Sequence, residues 1–162
     1  MAGTLDVTEM LPNRFEPKRK FRWILAIDGI DSFLVKGAAR PTMEMQSQEI
    51  PYINTFRYVA GRVKFSTMQI TLYDPIAPSG AQQVMEWVRT HHETVSGRAG
   101  YADFYKRDIQ LKMLDPVGTV VELWDIKGAQ ITSAQFNDLD YGAEEAVEIQ
   151  LTIQADNCIL QY

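Results

Sequence analysis

Cysteine is nearly absent from this sequence, and long hydrophobic runs are absent altogether. The one cysteine, Cys158, excludes a disulfide within the chain and agrees with a reducing compartment. We interpret Cys158 as a small apolar residue near the end of the last strand. No apolar run approaches the roughly 18 residues of a membrane-spanning helix, and the N-terminus lacks the apolar segment of a secretory signal. The sequence therefore predicts no membrane insertion and no ordinary secretory route.

Recognisable catalytic chemistry is missing as well. His91 and His92 are the only histidines, and as neighbours on a helix they point about 100° apart, so they cannot grip one metal ion together. We expect His92 to be a core histidine. No motif for phosphate, dinucleotide, zinc or serine-nucleophile chemistry is present. The sequence predicts a protein that is not an enzyme, with no catalytic residue, no cofactor and no metal.

Paired carboxylates are present, but in a setting that does not suit catalysis. They lie in one turn near the C-terminus and comprise Asp138, Asp140, Glu144 and Glu145. A glycosidase holds two carboxyls at a set separation across a cleft, and a single turn provides no such geometry. We interpret these residues as a solvated acidic turn.

Charge is unevenly distributed along the chain. The formal net charge is −5, yet residues 14–40 are rich in lysine and arginine, whereas acidic residues dominate from Asp115 onward. A basic beginning and an acidic end could support head-to-tail contact between copies, and the alternative is that both are solvated surfaces. The acidic balance argues against a protein that binds nucleic acid by neutralising phosphates.

The length of 162 residues suits one domain with an appendage. Residues 1–20 read as an N-terminal arm, because prolines and polar residues break regular structure there. Residues 21–162 form the domain. Apolar alternation and an Asp-Gly turn predict a β-hairpin over 21–39.

The sequence of residues 41–62 predicts a long extended loop that returns through the Ala-Gly-Arg turn at 60–62. Its aromatic residues would be costly to leave in water, at roughly 25 cal/mol per Å², so they should fold back or dock on a neighbour. Residues 63–74 follow as a strand with apolar groups on both faces, which predicts a central position in a sheet.

One helix is predicted over residues 79–96. Ser79 and Gln82 have the spacing of a capping box, and Gly97 is a typical stop. Helical spacing gives an apolar stripe with Trp87 at its edge; the stripe comprises Ala81, Val84, Met85, Val88, His92 and Val95.

The remainder reads as four β-strands. Residues 107–114 and 118–126 are joined by an Asp-Pro-Val-Gly turn, and 129–137 and 145–156 are joined across the acidic turn. The sequence thus predicts a mainly β, α+β body with one helix, a long loop and an arm.

The order and spacing of these pieces resemble a known family, the tail tube proteins of contractile phages, and above all the T4-like myophage tube protein. Related inner-tube proteins occur in R-type pyocins, extracellular contractile injection systems and type VI secretion. The segments that carry the resemblance are FRWILAIDGI, GAARPTMEMQSQEIPYINTFRYVAGRVKFSTMQITLYDP, GAQQVMEWV and RDIQLKMLDPVGTVVELWDIKGAQITSAQFNDLDYGAEEAVEIQLTIQAD. They cover roughly residues 15–160.

The resemblance implies two antiparallel sheets packed as a sandwich or barrel, flanked by one helix. Six copies would pair their sheets into a ring, and rings would stack into a DNA-conducting tube inside the sheath of a contractile virion. It implies partners as well: tail sheath, baseplate or tube initiator, tape-measure protein and tail terminator, with DNA as passing cargo. Synthesis would take place in the host cytoplasm, before genome ejection from the assembled tail.

The resemblance also implies contact residues. Residues of the long loop should reach an adjacent subunit or ring: Met43, Met45, Ile50, Pro51, Tyr52, Ile53, Phe56, Tyr58 and Arg62. The arm should help through Arg14, Phe15, Lys18 and Arg19. The acidic turn should meet a ring contact or the lumen through Asp138, Asp140, Glu144 and Glu145.

Two other functions remain open from the sequence. The same fold could form the inner tube of a type VI secretion or extracellular injection system, carrying protein cargo. A monomeric β-sandwich module could instead hold a ligand with Tyr52, Phe56, Tyr58 or a tryptophan.

Overall fold

The computed structural model describes Gly3 and residues 15–162. Within this part of the chain there are nine β-strands and two α-helices. The strands are β1 (Trp23–Ile27), β2 (Val35–Ala38), β3 (Met43–Tyr52), β4 (Thr55–Phe65), β5 (Met68–Tyr73), β6 (Arg107–Leu114), β7 (Val120–Gln135), β8 (Glu148–Gln154) and β9 (Asn157–Leu160). The helices are α1 (Gly80–His91) and α2 (Ala102–Tyr105), and a 3-10 turn spans Ser32–Leu34.

Two antiparallel sheets form the body, and β7 belongs to both. Sheet I runs β1–β6–β7–β9 and uses the first part of β7; sheet II runs β7–β8–β5–β2 and uses residues 130–135. Strand β7 changes sheets near Gly128, which has a φ of +65°. The predicted mainly β sandwich is confirmed, and in the described residues the path stays open between β1 and β2 rather than closing as a barrel.

One hydrophobic core joins both sheets and α1. Alternate residues of each strand point inward, as period-2 patterning requires. The most buried residues from sheet I are Leu25, Ile109, Leu111 and Ile126; those from sheet II are Met68, Ile70, Leu72, Ile149, Leu151 and Ile153. Val84 and Trp87 contribute the helix side of this core, and Cys158 is buried against it.

The predicted hairpin over 21–39 is wrong. Strand β1 pairs with β6, whereas β2 pairs with β5 in the other sheet. The 3-10 turn buries Leu34 at 2% exposure and redirects the chain between the sheets. Both segments alternate correctly, so the alternation identified strands but could not identify their partners.

The predicted division of residues 118–137 into two strands also needs correction. Residues 120–135 form one continuous strand rather than two, because Gly128 lets the strand bend without ending. The turns on either side are as predicted: β6 pairs with β7 across the Asp115–Gly118 turn, and β7 pairs with β8 across the acidic turn.

Helix α1 begins as predicted and ends earlier. The Ser79 side chain accepts a bond from the Gln82 amide at 3.4 Å. The helix stops at His91, whose carbonyl accepts from the Gly100 amide as residues 92–99 double back.

The predicted stripe of α1 therefore shifts. His92 is exposed and Val95 is 94% exposed, so His92 is not a core histidine. Trp87 lies at the centre of the buried face, 1% exposed, rather than at its edge. The hydrogen bond from Trp87 Nε1 to the Tyr105 carbonyl, at 2.7 Å, satisfies the indole inside the core.

Candidate assembly surfaces

Strands β3 and β4 form a separate two-stranded sheet, here called the outer hairpin (residues 43–65). Its turn lies at residues 53–54, where Ile53 has a φ of +50°, so the turn predicted at 60–62 is wrong. Residues 60–62 lie inside β4 instead, where Gly61 and Arg62 form a bulge opposite Gln46 of β3. At roughly 3.4 Å per residue the hairpin is about 35 Å long.

Nearly every residue of the outer hairpin is exposed. All nine loop residues named from the sequence lie in it: Met43, Met45, Ile50, Pro51 and Tyr52 in β3, Ile53 in the turn, and Phe56, Tyr58 and Arg62 in β4. They therefore do not fold back on the core of their own chain. Tyr52 and Phe56 are 58% and 55% exposed.

An isolated hairpin of this composition is unfavourable in water. Two strands alone are marginal, and a contiguous exposed apolar surface marks an interaction site in a soluble protein. Within the hairpin, Arg57 lies over the Tyr52 ring at 5.6 Å, and the Ser66 hydroxyl donates to Glu44 at its base. Among the described residues, these contacts leave most of the apolar surface of the outer hairpin exposed.

Sheet II presents a free edge on each side. Within residues 15–162, strand β2 pairs only with β5, and residues 130–135 of β7 pair only with β8. Unpaired backbone amides and carbonyls at such edges readily take another strand. The four-stranded sheet II can therefore extend in both directions.

Glu122 joins the arm to the base of the outer hairpin. Its carboxylate accepts from Lys18 of the arm, from Arg40 just before β3 at 3.4 Å, and from Trp124 Nε1 at 2.5 Å. Glu122 is 5% exposed and lies on the core face of sheet I. This cluster, Glu122 with Lys18, Arg40 and Trp124, is called the arm clamp.

The sequence interpretation missed Glu122. Alternation in β7 places it on the same face as Trp124 and Ile126, so a charged residue occupies a core-facing position. A charged residue at a core-facing position is unusual, and this is the feature of the sequence that could have identified Glu122. Burial acts to raise the pKa of Glu122, but the bonds from Lys18 and Trp124 outweigh it, and the pKa is lowered.

The arm is only partly described. Phe15, Lys18 and Arg19 are exposed, whereas Arg14 lies outside the described residues. Of these three, Lys18 takes part in the arm clamp.

The acidic turn is exposed and lies beside Lys36. Its four predicted residues, Asp138, Asp140, Glu144 and Glu145, are all exposed. Lys36 forms an ion pair with Glu148, the first residue of β8, and this bond raises the pKa of Lys36. Lys36 and the turn line one open groove.

Some basic residues of the N-terminal part of the chain therefore form ion pairs with acidic residues of the C-terminal part of the same chain. Lys18 and Arg40 contact Glu122, and Lys36 contacts Glu148. The acidic turn and Arg19 remain available at the surface for the predicted contact between copies.

No group of three or more histidine, cysteine, aspartate or glutamate residues could hold a metal ion in the described part of the chain. None of the helices described is long and apolar enough to cross a membrane.

Neither family models nor curated proteins give a match to this sequence. Several solved structures, however, match the fold of this chain. A chain of the anti-feeding prophage cap, the tube-terminating cap, aligns at a TM-score of 0.75 with 17% identity, over 97% of this chain and 99% of that chain. Two structures of the extracellular contractile injection system PVC also align. The sheath/tube terminator gives 0.74 with 14% identity over 92% and 99%, and the sheath–tube complex gives 0.71 with 14% over 98% and 99%.

The fold is that of the contractile tail tube proteins. More distant structures share the tail tube fold as well. Hcp1 from Flavobacterium johnsoniae aligns at 0.53 with 12% identity, over 87% of this chain and 95% of that chain. The SPP1 tail tube aligns at 0.50 with 15% identity, over 86% and 74%.

Proposed function

We propose that this chain is a structural subunit of the tube of a contractile machine, in which six copies form a ring and rings stack into a hollow tube. The observation that carries the proposal is the outer hairpin, an exposed apolar projection about 35 Å long at 3.4 Å per residue, on a body with the tail tube fold. A catalytic role is not part of the proposal.

Ring closure would use the two free edges of sheet II. Strand β2 of one copy would pair with residues 130–135 of the next, so that the four-stranded sheets of six copies join into one barrel. Closure would remove both free edges of sheet II, which relieves the aggregation risk of an open sheet edge.

Ring stacking would use the outer hairpin. Its apolar residues would be buried on an adjacent subunit or ring, and the arm and the acidic turn would add charged contacts. Such a head-to-tail contact does not close on itself, so it propagates into a tube. The arm clamp would set the direction in which the hairpin leaves the body.

The sequence resemblance favours a contractile phage tail as the machine, with the tube conducting DNA inside the sheath of a virion. Its partners would be sheath, baseplate, tape-measure and terminator proteins. A second candidate, the tube of an extracellular injection particle or a type VI system, gains support from fold similarity. The injection-particle structures align at TM-scores of 0.71 to 0.75, against 0.50 for the SPP1 tail tube.

The test is assembly of the purified chain and of a double variant, Tyr52→Ser with Phe56→Ser. The matched control is Ile76→Ser with Val95→Ser, which also removes two exposed apolar side chains, outside the hairpin. Sedimentation should show large assemblies for the wild type and the control. The hairpin variant should stop at single rings or monomers while its circular dichroism stays unchanged.

Two results would count against the proposal. Large assemblies of the hairpin variant, indistinguishable from wild type, would remove the hairpin from stacking. A wild-type chain that stays monomeric at high concentration would favour the alternative of a monomeric ligand-binding module.

A further inference from the structure

The solvent-facing side of sheet II has an unusual composition. Beside Tyr73 at the end of β5, the outward-facing positions of β5, β8 and the second part of β7 carry amide and hydroxyl side chains. Gln69, Gln150 and Gln135 are exposed, and Thr71, Thr152 and Ser133 are half-buried. This surface is called the amide face.

The amide face is ordered by strand pairing. Gln150 lies between Thr71 and Gln135, and Gln69, Thr152 and Ser133 form the neighbouring row. In the β2 strand Gly37 continues the first row opposite Thr71 and adds no side chain. The face is therefore a regular array of uncharged polar groups.

Charge is almost excluded from sheet II. Its strand segments, all of them described, carry only Lys36 and Glu148 as charged residues, and these two neutralise each other in an ion pair at one end. The whole chain is 23% charged and has 21 acidic residues, so charge was available and lies elsewhere.

Sheet I differs on its own solvent-facing side. There β6 carries Asp108 and Lys112, and β7 carries Asp125 and Lys127; Asp108 and Lys127 form an ion pair at 3.2 Å. The solvent-facing side of sheet I is thus charged, whereas that of sheet II is neutral. This difference indicates that the two sides have different surroundings.

We infer that the amide face is the wall of the channel and that the cargo it contacts is polypeptide. The inference rests on the proposed function, because sheet II faces a channel only if its edges close the ring. It adds the channel-facing residues and the class of cargo, and it favours the second candidate, the tube of an injection particle or type VI system, over a DNA-conducting phage tail.

The physical reason is how strongly each kind of channel wall binds the cargo that passes it. Cationic walls bind phosphates and apolar walls bind unfolded chains, whereas hydrated amides and hydroxyls hold neither strongly. DNA has one sign of charge at constant density, so an acidic wall that repels it is the better lining for DNA. The net charge of a polypeptide differs in sign from one sequence to another. Only an uncharged wall therefore interacts equally weakly with all of them.

Cysteine labelling tests the position of the face. Gln150→Cys places a thiol on the amide face, and Gln110→Cys is the matched control on the solvent side of sheet I, where Gln110 is exposed as well. Cys158 is buried, and burial raises the pKa of its thiol, so it should stay unreactive.

In assembled tubes, Gln150→Cys should react with a small maleimide and lose reaction with a maleimide carried on a large dextran. The unassembled chain should react with both reagents, and the Gln110→Cys tubes should keep reaction with the dextran reagent. Full dextran labelling of Gln150→Cys in tubes would put the face outside and overturn the inference while leaving the tube intact. Failure to form any tube would instead overturn the proposed function, and this inference with it.

Photocrosslinking tests the cargo. A benzophenone amino acid replaces Gln150 in whole particles purified from producing cells, and they are irradiated while contraction is triggered. The expected adduct is a polypeptide other than the subunit, resistant to nuclease and identified by mass. A nuclease-sensitive adduct would show DNA passing the wall, and adducts confined to the subunit itself would show a buried contact; either result overturns the assignment.

Discussion

At the scale of single residues, Glu122 links parts of the chain that are far apart in sequence. Lys18, Arg40 and Trp124 all donate to its carboxylate at the edge of the core. These donors compensate the carboxylate for its loss of water. The position itself faces the core, where an apolar residue is usual.

The first prediction concerns this carboxylate. Glu122→Gln keeps the shape and removes the charge, and we expect the free energy of unfolding to fall by about 1–2 kcal/mol at neutral pH. Urea unfolding measures the loss. Glu16→Gln, at an exposed carboxylate near Arg22, is the control and should change little.

Acid should reveal the same carboxylate. The pKa of folded Glu122 is lowered, so its contribution is fully present above the ordinary carboxylate pKa of about 4.3 and is lost as pH falls through the folded pKa. Unfolding measured from neutral to acid pH should show a shallower acid loss in Glu122→Gln than in wild type. Parallel pH profiles for the two proteins would contradict the arm clamp.

Trp87 gives a second prediction at this scale. Phe in its place removes the indole bond to the Tyr105 carbonyl and leaves a small void in a fully buried site. We expect a loss of about 1–3 kcal/mol in thermal or urea unfolding. Trp23→Phe, at a partly buried site, is the control and should cost less; equal losses would argue against the buried bond.

At the scale of elements, the sequence identified strands better than their partners. Alternation predicted β1, β6 and β8 because apolar residues recur at every second position there. The single strand predicted over 63–74 is wrong, since residues 63–65 end β4 and β5 begins at Met68 in another sheet. The pairing of β1 with β6 spans a large sequence separation, and no local pattern encodes it. The outer hairpin was expected as a long excursion, yet its turn was misplaced because Gly61 suggested a turn where the strand carries a bulge.

Strand β7 provides the third prediction. At Gly128 the left-handed φ bends the strand between the sheets, and a Cβ there would overlap the Asp156 carboxylate. Gly128→Ala should destabilise the fold by about 1–3 kcal/mol. Gly118→Ala has the same sign of φ with open space around it, so the control isolates the overlap in matched unfolding curves.

A larger loss for Gly128→Ala than for Gly118→Ala would support the sheet corner. If both variants lose the same stability, backbone strain alone accounts for the effect and the packing of Asp156 against the corner does not matter.

At the scale of the whole molecule, the fold class followed from the sequence but the surfaces did not. The long loop was predicted as a contact because its aromatic residues would be costly to leave in water, whereas the contact role of the acidic turn came from the family resemblance. The amide face of sheet II could not be found in the same way, since Gln, Thr and Ser at alternate positions read as an ordinary solvated strand face. Its meaning depends on neighbours that the sequence of one chain does not contain.

Assembly explains the combination of features that a monomer leaves unbalanced. Free edges and an exposed apolar hairpin are liabilities in isolation, and a ring stacked into a tube would bury both while turning the neutral sheet face to the lumen. The central claim is therefore the closed ring, with sheet II inward.

The most direct measurement is cryo-electron microscopy of the purified wild-type chain after concentration. The account predicts hollow rings or stacked tubes, in which β2 of each copy pairs with residues 130–135 of its neighbour and the amide face lines the lumen. Monomers at every concentration, or rings with sheet I inward, would contradict it.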